Sequence, residues 1–252
     1  MRFEKIIPSD RLKPYIKHLI ISEATDDAIY KVFPTTGLVI GFQYKGKLAF
    51  LNKNEENNLA AIGITGLQDQ YKIFKPSINI GSILVFFNEI GAAHFFKNPI
   101  NELFNQSISL DYLLAKAEID KVEDLLNKAT TDQHRIMVVE NFLLQHLLNK
   151  KEDLLVTQAI KYIHQTKGNI KIKQLSEMLF ISQSPLEKRF RNIVGTTPKK
   201  FASIIRFNSV LENLKEKKPF AVICDENNYF DQAHLIHDFK NFTGETPDKF
   251  EK

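Results

Sequence analysis

A chain of 252 residues, 43% of them hydrophobic, suits one large or two ordinary domains with packed cores. A single cysteine excludes an internal disulfide framework and favours a reducing compartment, so a cytoplasmic location is expected. No apolar run reaches membrane-span length and the basic start lacks a signal-peptide core, while a net charge of +4 names no partner by itself.

The first half is expected to be mostly β up to about residue 88. Pro8 and Pro14 flank a start without clear pattern, and Tyr15 to Ser22 suits a strand or a short helix. Phe33-Pro34-Thr35-Thr36-Gly37 is a turn, followed by a strand over Leu38 to Tyr44. Lys45-Gly46-Lys47 then predicts a hairpin into Leu48–Leu51, and Lys53 to Asn58 predicts a solvated loop. Further strands are expected over Ala60–Thr65, Asp69–Phe74 and Ile78–Phe87, the last rich in β-branched and aromatic residues.

Helical signals take over at Gly91. Short apolar pieces span Ala92–Phe96 and Ile100–Phe104, and another begins at Ser109-Leu110-Asp111. Longer helices are expected over Ile119–Ala129 and Asp132–Asn149. In the latter, Ile136, Val139, Phe142, Leu143 and Leu147 form one stripe, which suits either its own core or pairing with a second copy. The charged break Lys150-Lys151-Glu152-Asp153 is the natural boundary between a segment 1–150 and a segment 151–252.

The second segment contains a repeat. Phe190 to Phe201 reads FRNIVGTTPKKF and Phe239 to Phe250 reads FKNFTGETPDKF, identical at seven of twelve positions at an offset of 49 residues. Phe190 and Phe239 suit buried anchors, and Gly195 and Gly244 suit left-handed helix ends. Thr197-Pro198 and Thr246-Pro247 then open the next helices. Ahead of the first copy, Ile172, Leu175, Met178 and Leu179 recur at helical spacing, and a second helix opens at the N-cap Ser182 with Leu186, Phe190 and Val194 inward. Ahead of the second, Val222 and Ile223 lead through Asn228-Tyr229-Phe230 to the N-cap Asp231, then Leu235, Phe239 and Phe242. Each is a helix-turn-helix pattern, and one long helix from about Pro198 to Lys217 joins them.

These residues carry a family resemblance. The stretch from about Leu154 to Phe250 resembles the DNA-binding domain of AraC/XylS-type transcription regulators. The run Tyr229 to Lys240, followed by Phe242-Thr243-Gly244 and Thr246-Pro247, looks like that family's signature. Asn228 stands where the family usually has Gly, Cys224 occupies a slot usually held by Ala, and Leu235 and His237 replace a commoner Phe and Arg. The first half resembles, less specifically, the β-rich sensor domains of such regulators around Pro34, Gly37 and Leu38–Phe42. The implied architecture is α+β: a β-rich sensor-like domain with trailing helices, then an all-α domain with two helix-turn-helix units. The implied function is that of a bacterial-type, sequence-specific transcription regulator without catalytic activity or cofactor.

Charge distribution agrees with a polyanionic partner. Lys161 to Lys218 holds 13 basic and 4 acidic residues, whereas Pro219 to Lys252 holds 3 basic and 7 acidic. The first unit is therefore expected to supply most of the affinity, because phosphate neutralisation dominates binding to DNA. Expected base contacts are Gln183, Ser184, Glu187, Lys188 and Arg191 from the first unit, and Gln232, His234, His237 and Lys240 from the second, where Ala233 and Ile236 share the face. Glu187 suits either cytosine or a bond to Arg191 one turn on. Lys171, Lys173, Ser182, Lys199 and Lys200 suit phosphates.

Enzymatic readings find little to stand on. His234 and His237 form an i,i+3 pair with no further ligands for zinc, so no metal site is expected. Cys224 beside Asp225 and Glu226 suits a buried structural thiol better than a nucleophile. Double-stranded DNA is the expected partner. A small effector in the first half, RNA polymerase and a second copy of the chain are left open, and so is an effector-free first half that serves dimerisation only.

Overall fold

The computed structural model describes residues 1–52 and 55–250. It joins a β-rich first half with trailing helices to an all-helical second half, as the sequence predicts. Six strands make one antiparallel sheet: β1 (Arg2–Ile6), β2 (Ile16–Ala24), β9 (Ile80–Phe87), β4 (Val39–Lys45), β7 (Ile62–Thr65) and β10 (Ser107–Ser109), in that spatial order. A second sheet orders β3 (Tyr30–Val32), β8 (Lys72–Pro76), β5 (Leu48–Asn52) and β6 (Glu55–Asn58).

Alternation along the central strands sets the layers. Ile40 and Phe42 of β4, and Ile83, Val85 and Phe87 of β9, are buried against the helical side, where Phe42 meets Phe142 edge-on at 5.7 Å. Their neighbours Val39, Gly41, Gln43, Ser82, Leu84 and Phe86 point the other way and line a cavity between the two sheets.

Several expectations about this half need correction. Lys45-Gly46-Lys47 is not a hairpin: β4 pairs with β7 and β9, while β5 pairs with β6 and β8, so the chain turns a corner between sheets at Gly46 (φ +70°). Glu55–Asn58, assigned to a solvated loop, is the edge strand β6, whose polar residues suit an edge; residues 53 and 54 of that expected loop lie outside the described residues. The patternless start is the edge strand β1, held by ion pairs from Arg2 to Glu4, Glu23 and Asp132.

After single 3-10 turns at Gly91–His94, Ile100–Leu103 and Leu110–Tyr112 come α1 (Lys116–Lys128) and α2 (Asp132–His146). The apolar stripe of α2 is committed internally, with Val138, Val139, Phe142 and Leu143 all buried in the main core. It is therefore not a free dimerisation stripe, and the helix ends at His146 rather than Asn149.

The second half follows the repeat. Helices α3 (Leu154–Gln165), α4 (Ile172–Met178) and α5 (Gln183–Val194) form the first unit, and α6 (Pro198–Lys215) crosses to α7 (Phe220–Glu226), α8 (Gln232–Thr243) and α9 (Pro247–Phe250). Met178 ends on the surface, 40% exposed, and not on the inner face that its spacing suggested.

Core membership is divided unevenly. Val156, Leu175, Leu186, Phe190 and Phe201 belong to one continuous core with the β-rich half, whereas Ile204, Phe207, Val210, Ile223, Leu235, Phe239 and Phe242 form a separate one. Phe207 sits at its centre, stacked on Phe242 at 4.5 Å and tilted against Phe239 at 5.8 Å. Truncating Phe207 to Ala should cost about 3–5 kcal/mol in the second core. Hydrogen exchange should then show the amides of α8 losing protection while those of β9 keep theirs; equal loss in both would contradict separate cores.

Candidate nucleic-acid interface

The two units close in the same way. Gly195 (φ +98°) and Gly244 (φ +78°) end α5 and α8 in the left-handed conformation, and their N–H groups donate to the carbonyls of Arg191 and Lys240. Each glycine also abuts the β-rich half. A Cβ on Gly195 would lie 2.9 Å from Ile100, and one on Gly244 would lie 2.6 Å from the Tyr71 ring.

The turns differ by one residue. Ile181 N–H donates to Ser176 O at 3.1 Å and Tyr229 N–H donates to Cys224 O at 2.9 Å, so the helices before the turns match at an offset of 48 residues. The helices after them start at Ser182 and Asp231, an offset of 49. Phe230 is the extra residue, and Tyr229 takes the buried place beside it, leaving Phe230 93% exposed. Phe180 and Asn228 fill the left-handed position of each turn at φ +51°. Asn228 there fulfils the sequence expectation for an Asn in place of Gly.

The N-caps also differ. Asp231 accepts a 2.7 Å hydrogen bond from His234 N–H. Ser182 has the right backbone but makes no side-chain cap bond, contrary to expectation, because the third residue of α5 is Pro185 and has no N–H to give. Ser182 and the start of α5 are exposed.

Leu186, Phe190 and Val194 are fully buried, so the opposite face of α5 is the exposed one. Ser184, Lys188 and Arg191 stand on it, Gln183 is exposed at the first position of the helix, and Glu187 is half-buried and accepts a 2.9 Å hydrogen bond from Arg191. On α8, Gln232, Ala233, His234, His237 and Lys240 are exposed, while Ile236 is half-buried. His234 lies edge-on to Tyr229 at 5.2 Å, and the His237 ring lies 3.3 Å from the Asn241 side-chain amide.

Among the phosphate candidates, Lys171, Lys173, Ser182 and Lys199 are exposed. Lys200 is not free: its ammonium pairs with Asp69 of the β-rich half at 3.1 Å. Cys224 is buried, and burial first, then the nearby Asp231, raises its thiol pKa. The acidic group that adds to burial is Asp231 rather than the adjacent Asp225 and Glu226. Among the described residues no group of three or more His, Cys, Asp or Glu could hold a metal ion, and no helix is long and apolar enough to cross a membrane.

Three supports escaped the sequence reading. Arg189 donates to Asp153 at 3.0 Å, tying α5 to the start of α3, where Asp153 also caps the helix. Arg206 donates to Asp238 at 2.6 Å and lies 4.6 Å over the Tyr229 ring, fixing α8 to α6. Phe33 packs edge-on against Phe207 and Phe250, at 6.5 and 5.4 Å, and joins the second core to the β-rich half. All three link residues far apart in sequence, which local spacing does not report.

Comparison with known proteins agrees with this geometry. Residues 175–252 match the model of a helix-turn-helix domain, and residues 4–109 match a domain of unknown function (DUF6597). The Msm operon regulatory protein of Streptococcus mutans is 27% identical over 158 residues, covering 60% of this chain and 56% of that protein. An uncharacterized HTH-type transcriptional regulator of Haemophilus influenzae is 25% identical over 157 residues, covering 62% and 52%. The match thus spans about half the length of these curated relatives.

Among solved structures, ToxT of Vibrio cholerae has the same fold, with a TM-score of 0.50 at 10% identity over 92% of this chain and 97% of that one. The same protein bound to (E)-4-(8-methylnaphthalen-1-yl)but-3-enoic acid gives 0.51 at 12% identity over 100% and 98%. The C-terminal part of the chain, residues 175–252, is therefore similar to a helix-turn-helix domain.

The unequal caps give a stability test. Asp231→Ala should cost about 1 kcal/mol, whereas Ser182→Ala should stay within about 0.5 kcal/mol, measured by denaturant unfolding. A loss at Ser182 as large as that at Asp231 would contradict the geometry.

Proposed function

We propose that this protein is a transcription regulator that reads duplex DNA through two helix-turn-helix units and is controlled by a small effector held between the β-sheets. One observation carries the reading: the same two-helix unit occurs twice, and in both copies the second helix turns a polar, solvent-exposed face outward. An α-helix with its side chains is about 10–12 Å across and the major groove is about 12 Å wide, so each outward face fits one groove segment.

Residues 1–150 serve as the sensing half and residues 151–252 as the reading half. In the first unit Gln183, Ser184, Lys188 and Arg191 meet base edges, with Glu187 setting the Arg191 guanidinium. Gln232, His234, His237 and Lys240 do so in the second. Lys171, Lys173, Ser182 and Lys199 hold phosphates, while Lys200 holds Asp69 instead. Because the positive charge is concentrated before residue 219, the first unit supplies most of the affinity.

The effector site is the cavity between the sheets, about 250 Å³ in volume. Its walls are mostly apolar, with Val39, Ile64, Phe74, Leu84 and Phe86 among them, and one cation, Lys72, stands at the wall. The Lys72 ammonium donates to Ser107 Oγ at 2.7 Å, and burial pulls its pKa down to about 8. An apolar molecule with a carboxylate matches that wall, because the carboxylate would restore the charge partner that burial denies. The acid bound by ToxT in a similar fold supports that class of ligand. An open cavity here favours a sensor over a half that serves dimerisation alone.

Binding to a fluorescein-labelled duplex enriched from a random-sequence library tests the reading. Lys188→Ala or Arg191→Ala should weaken binding by about tenfold or more, and Lys240→Ala by clearly less. Equal losses would contradict the ordering, and no loss from any of the three would contradict DNA reading. Decanoic acid tests the cavity. It should raise the melting temperature at pH 7 and do so less above pH 8, where Lys72 sheds its proton, and Lys72→Met should remove that pH dependence. The lowered pKa also means that the unfolded chain holds a proton the folded one has released between about pH 8 and 10.5, so Lys72 makes stability rise with pH across that window. Decanoate stabilisation unchanged in Lys72→Met at both pH values would remove Lys72 from the site.

A further inference from the structure

The DNA-reading face is not walled by the helix-turn-helix domain alone. Ile100 packs on Gly195 at the end of α5, and the residue after it, Asn101, stands beside the outward face of that helix. Asn101, Ser184, Glu187, Lys188, Arg191 and Asn192 together line a cleft of about 370 Å³. Four of those six are expected base readers or the partner of one. Asn101 is half-buried, and its side-chain amide makes no hydrogen bond among the described residues.

Groove dimensions decide what such a residue meets. A helix about 10–12 Å across nearly fills a major groove about 12 Å wide. Whatever stands flush with the side of the inserted helix therefore lies at the groove wall, and that wall is a phosphodiester strand. Asparagine amides are common phosphate donors. The nearest acidic group in the turn, Glu102, accepts a hydrogen bond from Asn98 at 3.1 Å, which holds that carboxylate beside Asn98.

We infer that the β-rich half contributes directly to the DNA interface: Asn101, beside the first reading helix, donates its side-chain amide to a backbone phosphate of the groove that α5 occupies. The inference rests on the reading of α5 as a groove-binding helix, and it adds a contact from outside the helix-turn-helix domain. It also makes α5 and the 3-10 turn Ile100–Leu103 one docking surface, so a shift of that turn relative to α5 would change affinity without touching a base contact.

The test uses the full chain, the enriched duplex described above and binding measured across a salt series. Asn101→Ala should weaken binding by up to about tenfold, the scale of one hydrogen bond to a charged group. Asn101→Asp should weaken it further. Asn101→Lys should tighten binding and steepen the dependence of log affinity on log salt by about 0.9, one additional phosphate. Unchanged affinity in Asn101→Ala together with an unchanged salt slope in Asn101→Lys would overturn the inference. So would tighter binding by Asn101→Ala, which would make Asn101 an obstacle to the groove. Lys188→Ala separates the two levels: if it loses binding while the Asn101 variants do not, α5 still reads DNA and only the added contact falls. If it too has no effect, the reading of α5 itself falls.

Discussion

Two glycine contacts fix where α5 and α8 end against the β-rich half. Gly195 and Gly244 favour glycine for their positive φ, and each also brings its helix end against the β-rich half, one on Ile100 and the other on Tyr71. A methyl group at either site would meet both a strained backbone and an occupied space. The repeated Gly of the sequence thus does two things at once, ending a helix and docking it. Around these points the second unit gains Phe33 between Phe207 and Phe250, and the ion pair of Lys31 with Glu245 next to Gly244.

The consequence is an asymmetric molecule. The first unit shares one core with the β-sheets, so it is part of the main fold. The second has its own core and reaches the sheets mainly through Phe33, Lys31 and Tyr71. Val32, Phe33 and Thr35 also line the cavity between the sheets, so the same short segment borders that cavity and grips the second unit. Charge follows the same division. The first unit carries the excess of cations, while in the second Asp231 is committed to a cap and Asp238 to Arg206. A basic unit built into the main core and an acidic unit with a core of its own thus stand side by side.

The local chemistry of the second half was largely legible in the sequence. Helical spacing, the Thr-Pro starts, the glycine ends and the buried Phe190 and Phe239 are all interactions within a few residues. What escaped was either an exception to a local rule or a long-range pairing. Ser182 fails as a cap because of Pro185 three residues on. The extra residue Phe230 is visible only once both turns are aligned by their hydrogen bonds. In the first half, Lys45-Gly46-Lys47 has the composition of a hairpin, yet partner choice sends β4 and β5 to different sheets. Glu55–Asn58 is too polar to signal a strand, because an edge strand needs no apolar face. The docking of α5 on Ile100, which places Asn101 beside its outward face, joins residues almost a hundred positions apart and leaves no periodic trace.

The account stands on two readers entering the same duplex. The most direct measurement is a footprint of the full chain on a duplex it has selected, by methylation of guanine N7 in the major groove. The account predicts two protected major-groove segments about one helical turn, roughly 10 base pairs, apart on one face of the duplex. Protection of a single segment, or of segments on opposite faces, would contradict it.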